Sequence, residues 1–227
     1  MKGAWDRPVE RAARLLTGLV LFGLGLAALV EDDLGLDPWT VFSEGVARHT
    51  GLTIGQVTVI SSFVVLAAWV PLTQRPGLGT VANALIVGFV LDLGVAVLPT
   101  PEALAGRLAY VAAAIAGVAV GSGLYVGAGW GPGPRDGLMT GLADRGVPLA
   151  LARAGVEVTV LVAGWLLGGT VGLATVVFAI TIGPLVKLAL QTLGISPRRP
   201  RAACAGRGRP RPARARCPTS PTGRTRT

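Results

Sequence analysis

"GPGPRDGLMTGL" (residues 131–142) interrupts a chain that is apolar for long stretches on either side, and it places an Arg135–Asp136 pair at the break. Far upstream, "GLDPWTVFSEGV" (residues 35–46) has the same layout. Setting Pro38 on Pro134 brings Thr40 onto Asp136, Phe42 onto Leu138 and Gly45 onto Gly141, and at the same spacing Trp69 falls on Trp165. After a deletion of one residue, "GLGT" (residues 77–80) falls on "GLAT" (residues 172–175) and Gly88 on Gly183. The chain is therefore a repeat, with copies over residues 14–98 and 104–193.

Composition says what kind of repeat this is. The 227 residues are 51% hydrophobic and 15% charged, with a mean hydropathy of +0.60. A soluble domain carries about a quarter charged residues, so the chain reads as an integral membrane protein. The 33 glycines agree, because glycine is commoner in membrane helices than in soluble ones. The net charge of +9 belongs to the end of the chain: ten of the 21 Lys and Arg residues lie beyond Ser196.

A membrane-crossing helix needs roughly 20 apolar residues. Six stretches qualify: residues 14–30, 54–72, 78–98, 104–126, 149–167 and 171–193. The first is short, but no small-residue cleavage site follows it, so it reads as a retained anchor rather than a secretory signal. Basic residues in short connections set orientation. Lys2, Arg7, Arg11 and Arg14 precede the first span, and Arg75, Arg135, Arg145 and Arg153 lie in or beside the second and fourth connections. The first connection has Arg48 against five acidic residues, Arg107 lies near the third, and the fifth has no basic residue. Both termini are expected in the cytoplasm of a bacterial cell, with the protein multi-pass in its plasma membrane.

Each copy holds three spans, an odd number, so the second copy is expected upside down. The fold expected is all-α and integral to the membrane: six transmembrane helices as two inverted three-helix repeats. Each repeat also has a short Pro-initiated helix, interfacial or re-entrant. Asp37 is a side-chain cap and Pro38 suits the first helical position. Gly133 and Pro134 repeat that plan with a weaker cap. The short helices are expected over residues 38–48 and 134–145, the first facing outside and the second the cytoplasm.

"LGLDPWTVFSEGV", "QRPGLGTVANALIVGFVLD" and "GWLLGGTVGLATVVFAITIGP" together resemble the YczE/YitT-like family of bacterial multi-pass membrane proteins, over about residues 14–194. The motif residues that carry the resemblance include Pro38, Gly45, Gly77, Gly79, Thr80, Pro134 and Gly141. The resemblance implies the fold and the membrane location, and it names no activity. The family pattern has an Asp after Pro-Trp, where this chain has Thr40; Asp136 fills the matching place in the second copy.

Ionisable groups inside a bilayer cost about 2.5–3.5 kcal/mol each on insertion scales, which makes them functional candidates. Asp92 lies within the third span with no partner nearby in sequence. Arg153 and Glu157 stand four residues apart in the fifth and can pair on one helix face. With Asp37, Trp39, Asn83, Arg135 and Asp136 they are the candidate lining of a substrate or ion pathway. Gln56 suits either packing or a polar cavity, and Lys187 is expected to reach the headgroups. The glycine pairs Gly117/Gly121 and Gly123/Gly127 suit close helix packing.

No catalytic chemistry is indicated. The one histidine, His49, falls in a connection, and no histidine lies in a span to activate Ser122 of "GSG". Cys204 and Cys217 have no metal-ligand spacing around them, and no cofactor or metal is expected. The cytoplasmic segment 1–13 leads into the first repeat. Residues 196–227 read as a disordered basic tail, suited to anionic lipid headgroups at about 1 kcal/mol per basic residue. "RGRP" (residues 207–210) is expected by chance in such a composition, so nucleic acid is not indicated as a partner.

Inverted repeats recur in secondary transporters, where two mirrored halves rock about a central site. The expectation is a transporter of a small molecule or ion, in contact with the lipid bilayer and compatible with a homo-oligomer. The alternative is a non-transporting membrane factor that supports another system, such as a biosynthetic complex. A polar cavity among the candidate residues favours the first; a dry, tightly packed centre favours the second.

Overall fold

Apolar run length and proline placement decide the helices. The computed structural model describes residues 8–193, and these form eight α-helices with no strand among them. They are α1 (Pro8–Glu31), α2 (Pro38–Thr50), α3 (Ile54–Leu72), α4 (Leu78–Val97), α5 (Leu104–Gly127), α6 (Pro134–Ala143), α7 (Leu149–Leu166) and α8 (Leu173–Thr192). All but α2 and α6 are long and apolar enough to cross a membrane. The expected basic tail and the first seven residues lie outside the described residues.

Helix α1 begins before the apolar run does. Arg14 donates to Glu10 at 2.6 Å, one turn away, so a charged turn extends the helix below its apolar part. In α2, Pro38 opens the helix, the Asp37 carboxylate accepts the Trp39 N–H at 3.2 Å, and Gly51 closes it at φ 70°. Helix α6 opens at Pro134 with no side-chain cap on Gly133. Thr53 and Gln56 form a reciprocal capping box at the start of α3, which settles Gln56 as a cap.

Helices α1 and α5 cross at the centre through glycines. A Cβ added to Gly18 would lie 2.7 Å from the Gly121 carbonyl, and one added to Gly121 would lie 2.6 Å from the Gly18 carbonyl. Around this crossing α4 packs on α1 and α8 on α5, while α2 packs on α7 and α6 on α3. Each pairing has a counterpart when α1–α4 are matched to α5–α8. One close pairing does not: α3 packs closely on α4, but α7 and α8 are not a closely packed pair. Helix α7 buries only Ala152 and Gly164.

The halves also hold each other's last helix. The Gly79 N–H donates to the Trp130 carbonyl at 2.9 Å, and the Ala174 N–H donates to the Leu34 carbonyl at 3.1 Å. Gly77 and Gly172 each donate a backbone N–H to Thr80 and Thr175, both at 3.1 Å. Gly35 and Gly131 make these contacts possible: their φ values are 125° and 120°, and a Cβ on either would lie 2.7 Å from the threonine hydroxyl it faces. The glycines and threonine read as motif residues in the sequence, Gly77, Gly79 and Thr80, are thus clasps between halves.

The outer faces of the long helices are apolar. Phe89, Leu93, Leu149, Leu151, Val158, Leu166 and Ile180 are all exposed. Such faces suit lipid tails, in which large apolar side chains carry no penalty.

Candidate functional site

Proline at the first helical position leaves the starts of α2 and α6 free to enter the bundle, and both do. Pro38, Trp39, Thr40, Pro134 and Gly137 are buried, whereas Arg48, His49 and Thr50 at the far end of α2 are exposed. Of the two placements open to them, interfacial or re-entrant, the short helices take the second at their starts, and their N-terminal ends meet. Arg135 Nη1 lies 3.5 Å from Asp37 Oδ2, and its guanidinium carbon sits 4.9 Å from the centroid of the Trp39 ring. Sequence proximity brings neither contact about; the crossing of the halves does.

A cavity of about 350 Å³ opens beside this junction, and all eight helices reach it. Its polar lining includes Asp37, Trp39, Thr58, Ser62, Asn83, Ser122, Tyr125, Arg135, Asp136, Arg153 and Glu157. Phe22, Leu26, Val87, Val118, Phe178 and Ile182 supply apolar wall. Of the residues singled out from the sequence as pathway candidates, all but Asp92 line it.

The charged groups are mostly engaged. Arg153 Nε donates to Glu157 Oε1 at 3.0 Å, the pairing expected from their spacing. Arg135 is held by Asp37 and by the face of Trp39, an arrangement in which the ring quadrupole attracts the cation. Asp136 accepts a short hydrogen bond from the Tyr125 hydroxyl, and the Tyr125 ring meets Phe22 edge-on at 6.2 Å. Asp37 Oδ1, Trp39 Nε1 and the Thr40 hydroxyl are buried without a partner among the described residues. Buried polar atoms of this kind are rare in folded proteins and ask for an explanation.

Asp92 sits elsewhere. Its Oδ2 accepts from the Thr53 hydroxyl at 2.5 Å and its Oδ1 from the Gly55 N–H at 2.8 Å, so it ties α4 to the start of α3. Lys187 is exposed on α8. The remaining motif glycines are contact points: a Cβ on Gly45 would lie 2.7 Å from the Gly164 carbonyl, and one on Gly141 would lie 3.1 Å from Leu72.

Trp69 and Tyr125 are among the residues that sequence reasoning missed, with Thr58 and Ser62 of the cavity lining. Trp69 is buried, and its Nε1–H donates to the Pro134 carbonyl at 3.1 Å, fixing the start of α6. Gly137 leaves the room for it, since a Cβ there would overlap the indole ring. The matched Trp165 is exposed instead. The position matched to Gly137 is Val41, whose side chain packs against Gly169 and fills that space. Tyr125 had one legible signal, a phenol hydroxyl within an apolar span.

Comparison with known proteins places the chain. A model of a family of unknown function, DUF6198, matches residues 9–191. The chain belongs to that family. Among its relatives is the "Uncharacterized membrane protein YczE" of Bacillus subtilis (strain 168), 31% identical over 176 residues, or 76% of this chain and 82% of that protein. An "Uncharacterized protein" of Haemophilus influenzae (strain ATCC 51907 / DSM 11121 / KW20 / Rd) is 36% identical over 197 residues, covering 86% of this chain and 90% of the relative. The resemblance to YczE read from the motifs agrees with this DUF6198 membership, and the chain is a multi-span membrane protein. No solved structure matches it.

Proposed function

We propose that this protein is a transporter of a small molecule or ion in the bacterial cell membrane, with both termini in the cytoplasm. In this reading the two three-span repeats are inverted and alternate access to the cavity between them. The observation that carries it is the junction of the two short helices. Residues from both repeats, Asp37 and Trp39 from one and Arg135 and Asp136 from the other, build one charged cavity. Buried charge is expensive in a membrane protein and marks substrate or ion pathways by default. Short helices that start in the bundle and bring their N-terminal ends to a central site are the arrangement transporters use. The loose α7–α8 contact supports movement there, because a helix with few packed neighbours shifts at low cost. The alternative, a supporting membrane factor, calls for a dry and tightly packed centre, and the cavity argues against it.

The test is flux. Purified protein in liposomes, screened for metabolite-dependent uptake or release, is expected to move at least one small solute faster than protein-free vesicles. Flux equal to protein-free vesicles across a broad panel would favour the supporting factor.

A further inference from the structure

The cavity's charged side chains do not balance. It is lined by two guanidiniums, Arg135 and Arg153, and by three carboxylates, Asp37, Asp136 and Glu157. Arg153 is paired with Glu157 at 3.0 Å and Arg135 with Asp37 at 3.5 Å. Among the described residues Asp136 has no ion pair within bonding distance, and its side-chain hydrogen bond comes from the neutral Tyr125 hydroxyl. Its neighbour Asp37, whose side chain is 3% exposed, holds a second oxygen with no donor among the described residues. Both acids therefore have acceptor capacity to spare, next to aromatic wall from Trp39, Phe22 and Phe178.

We propose that the cavity binds a small monovalent ammonium with an apolar body, its N–H groups on Asp136 and its body against the aromatic wall. This rests on reading the cavity as a ligand site. An anion fits worse. Arg135 is already engaged by Asp37 and the Trp39 face, Arg153 by Glu157, and an incoming anion would meet three carboxylates. The uncapped start of α6 favours negative charge, but Asp136 in its first turn already supplies it. A cation gains from the carboxylate and, in a desolvated site, from the ring faces as well. The volume of about 350 Å³ lies at the lower end for pockets that hold small organic molecules, so the ligand is compact.

The test uses the full chain purified in detergent and titrated with three probes of one shape: benzylamine, benzyl alcohol and benzoate. Benzylamine is expected to bind at least ~10-fold more tightly than either of the others, about 1.4 kcal/mol or more. Asp136→Asn is expected to remove that preference while its melting temperature stays near that of the unaltered protein, since the amide still accepts from Tyr125. Should that variant not fold, the ranking of the three probes on the unaltered chain decides alone. Benzoate binding best, benzyl alcohol binding equally well, or no probe binding at millimolar concentration would each overturn the inference. Solute flux without amine preference would remove this proposal and leave transport standing; amine binding without flux would do the reverse.

Discussion

The guanidinium of Arg135, at the start of α6, and the carboxylate of Asp37, at the start of α2, lie 3.5 Å apart although nearly half the chain separates them. This contact joins α2 and α6 at the cavity, and the side chains are 20% and 3% exposed. Removing one partner of a buried pair leaves the other uncompensated. Arg135→Gln is therefore expected to destabilise by about 3 kcal/mol. Adding Asp37→Asn to it should recover part of the loss, a coupling of about 1–2 kcal/mol in a double-mutant cycle by chemical denaturation. Strict additivity of the two changes would mean that the pair carries no energy.

Asp92 tests the division between cavity and scaffold. Its carboxylate caps α3 from α4 and lies off the cavity lining. Asp92→Asn should cost about 1 kcal/mol, the size of a helix cap, and leave solute flux and probe binding unchanged. Loss of flux at full stability would return Asp92 to the pathway.

Gly137 and Trp69 give a packing prediction. A Cβ at position 137 would overlap the indole ring that hydrogen-bonds Pro134. Gly137→Ala should cost about 2 kcal/mol, as overpacking does, seen as a lower melting temperature. In a Trp69→Phe background the same change should cost much less, because the smaller ring leaves room. Equal cost in both backgrounds would place the strain somewhere other than this contact.

These residues also show how much could be read without coordinates. Run length, proline and the glycine spacing give all eight helices, since each rests on local chemistry. Five of the seven candidate cavity residues are charged and stand out in one dimension beside or within apolar runs, while Trp39 is marked by the proline motif and Asn83 by its amide in a span. What joins them could not. Nothing local to Asp37 says that it meets Arg135, and nothing local to Asp92 says that Thr53 and Gly55 are its donors. The depth of the short helices was open for the same reason: their burial is set by packing of α2 on α7 and of α6 on α3. The exposure of Trp165 was readable only in pairs, from Val41 standing where its match is Gly137.

Asp32 gives the pH dependence. It is buried in the connection between α1 and α2, where one oxygen accepts the Leu34 N–H at 2.6 Å and the other has no partner. Burial pushes its carboxyl from 3.8 up to about 6, outweighing the N–H groups of Leu34 and Gly35. A raised carboxyl contributes stability that is fully present below its unfolded value of 3.8 and is lost as pH rises through about 6. Asp32→Asn keeps the acceptor and removes the ionisation. Its melting temperature should match that of the unaltered chain at about pH 4 and exceed it above about pH 7. A constant difference across that window would mean that Asp32 does not titrate there.

The central claim is one cavity reached in turn from both sides of the membrane, and cysteine accessibility tests it most directly. Ser122, on α5, lines the cavity. In a variant lacking Cys204 and Cys217, Ser122→Cys should react with a membrane-impermeant maleimide added to intact cells, and also with the same reagent added to inside-out vesicles. Asp33→Cys should react only from outside and Arg145→Cys only from the cytoplasmic side, which fixes the orientation in the same experiment. Reaction of Ser122→Cys from one side alone, with both orientation markers behaving as expected, would contradict alternating access.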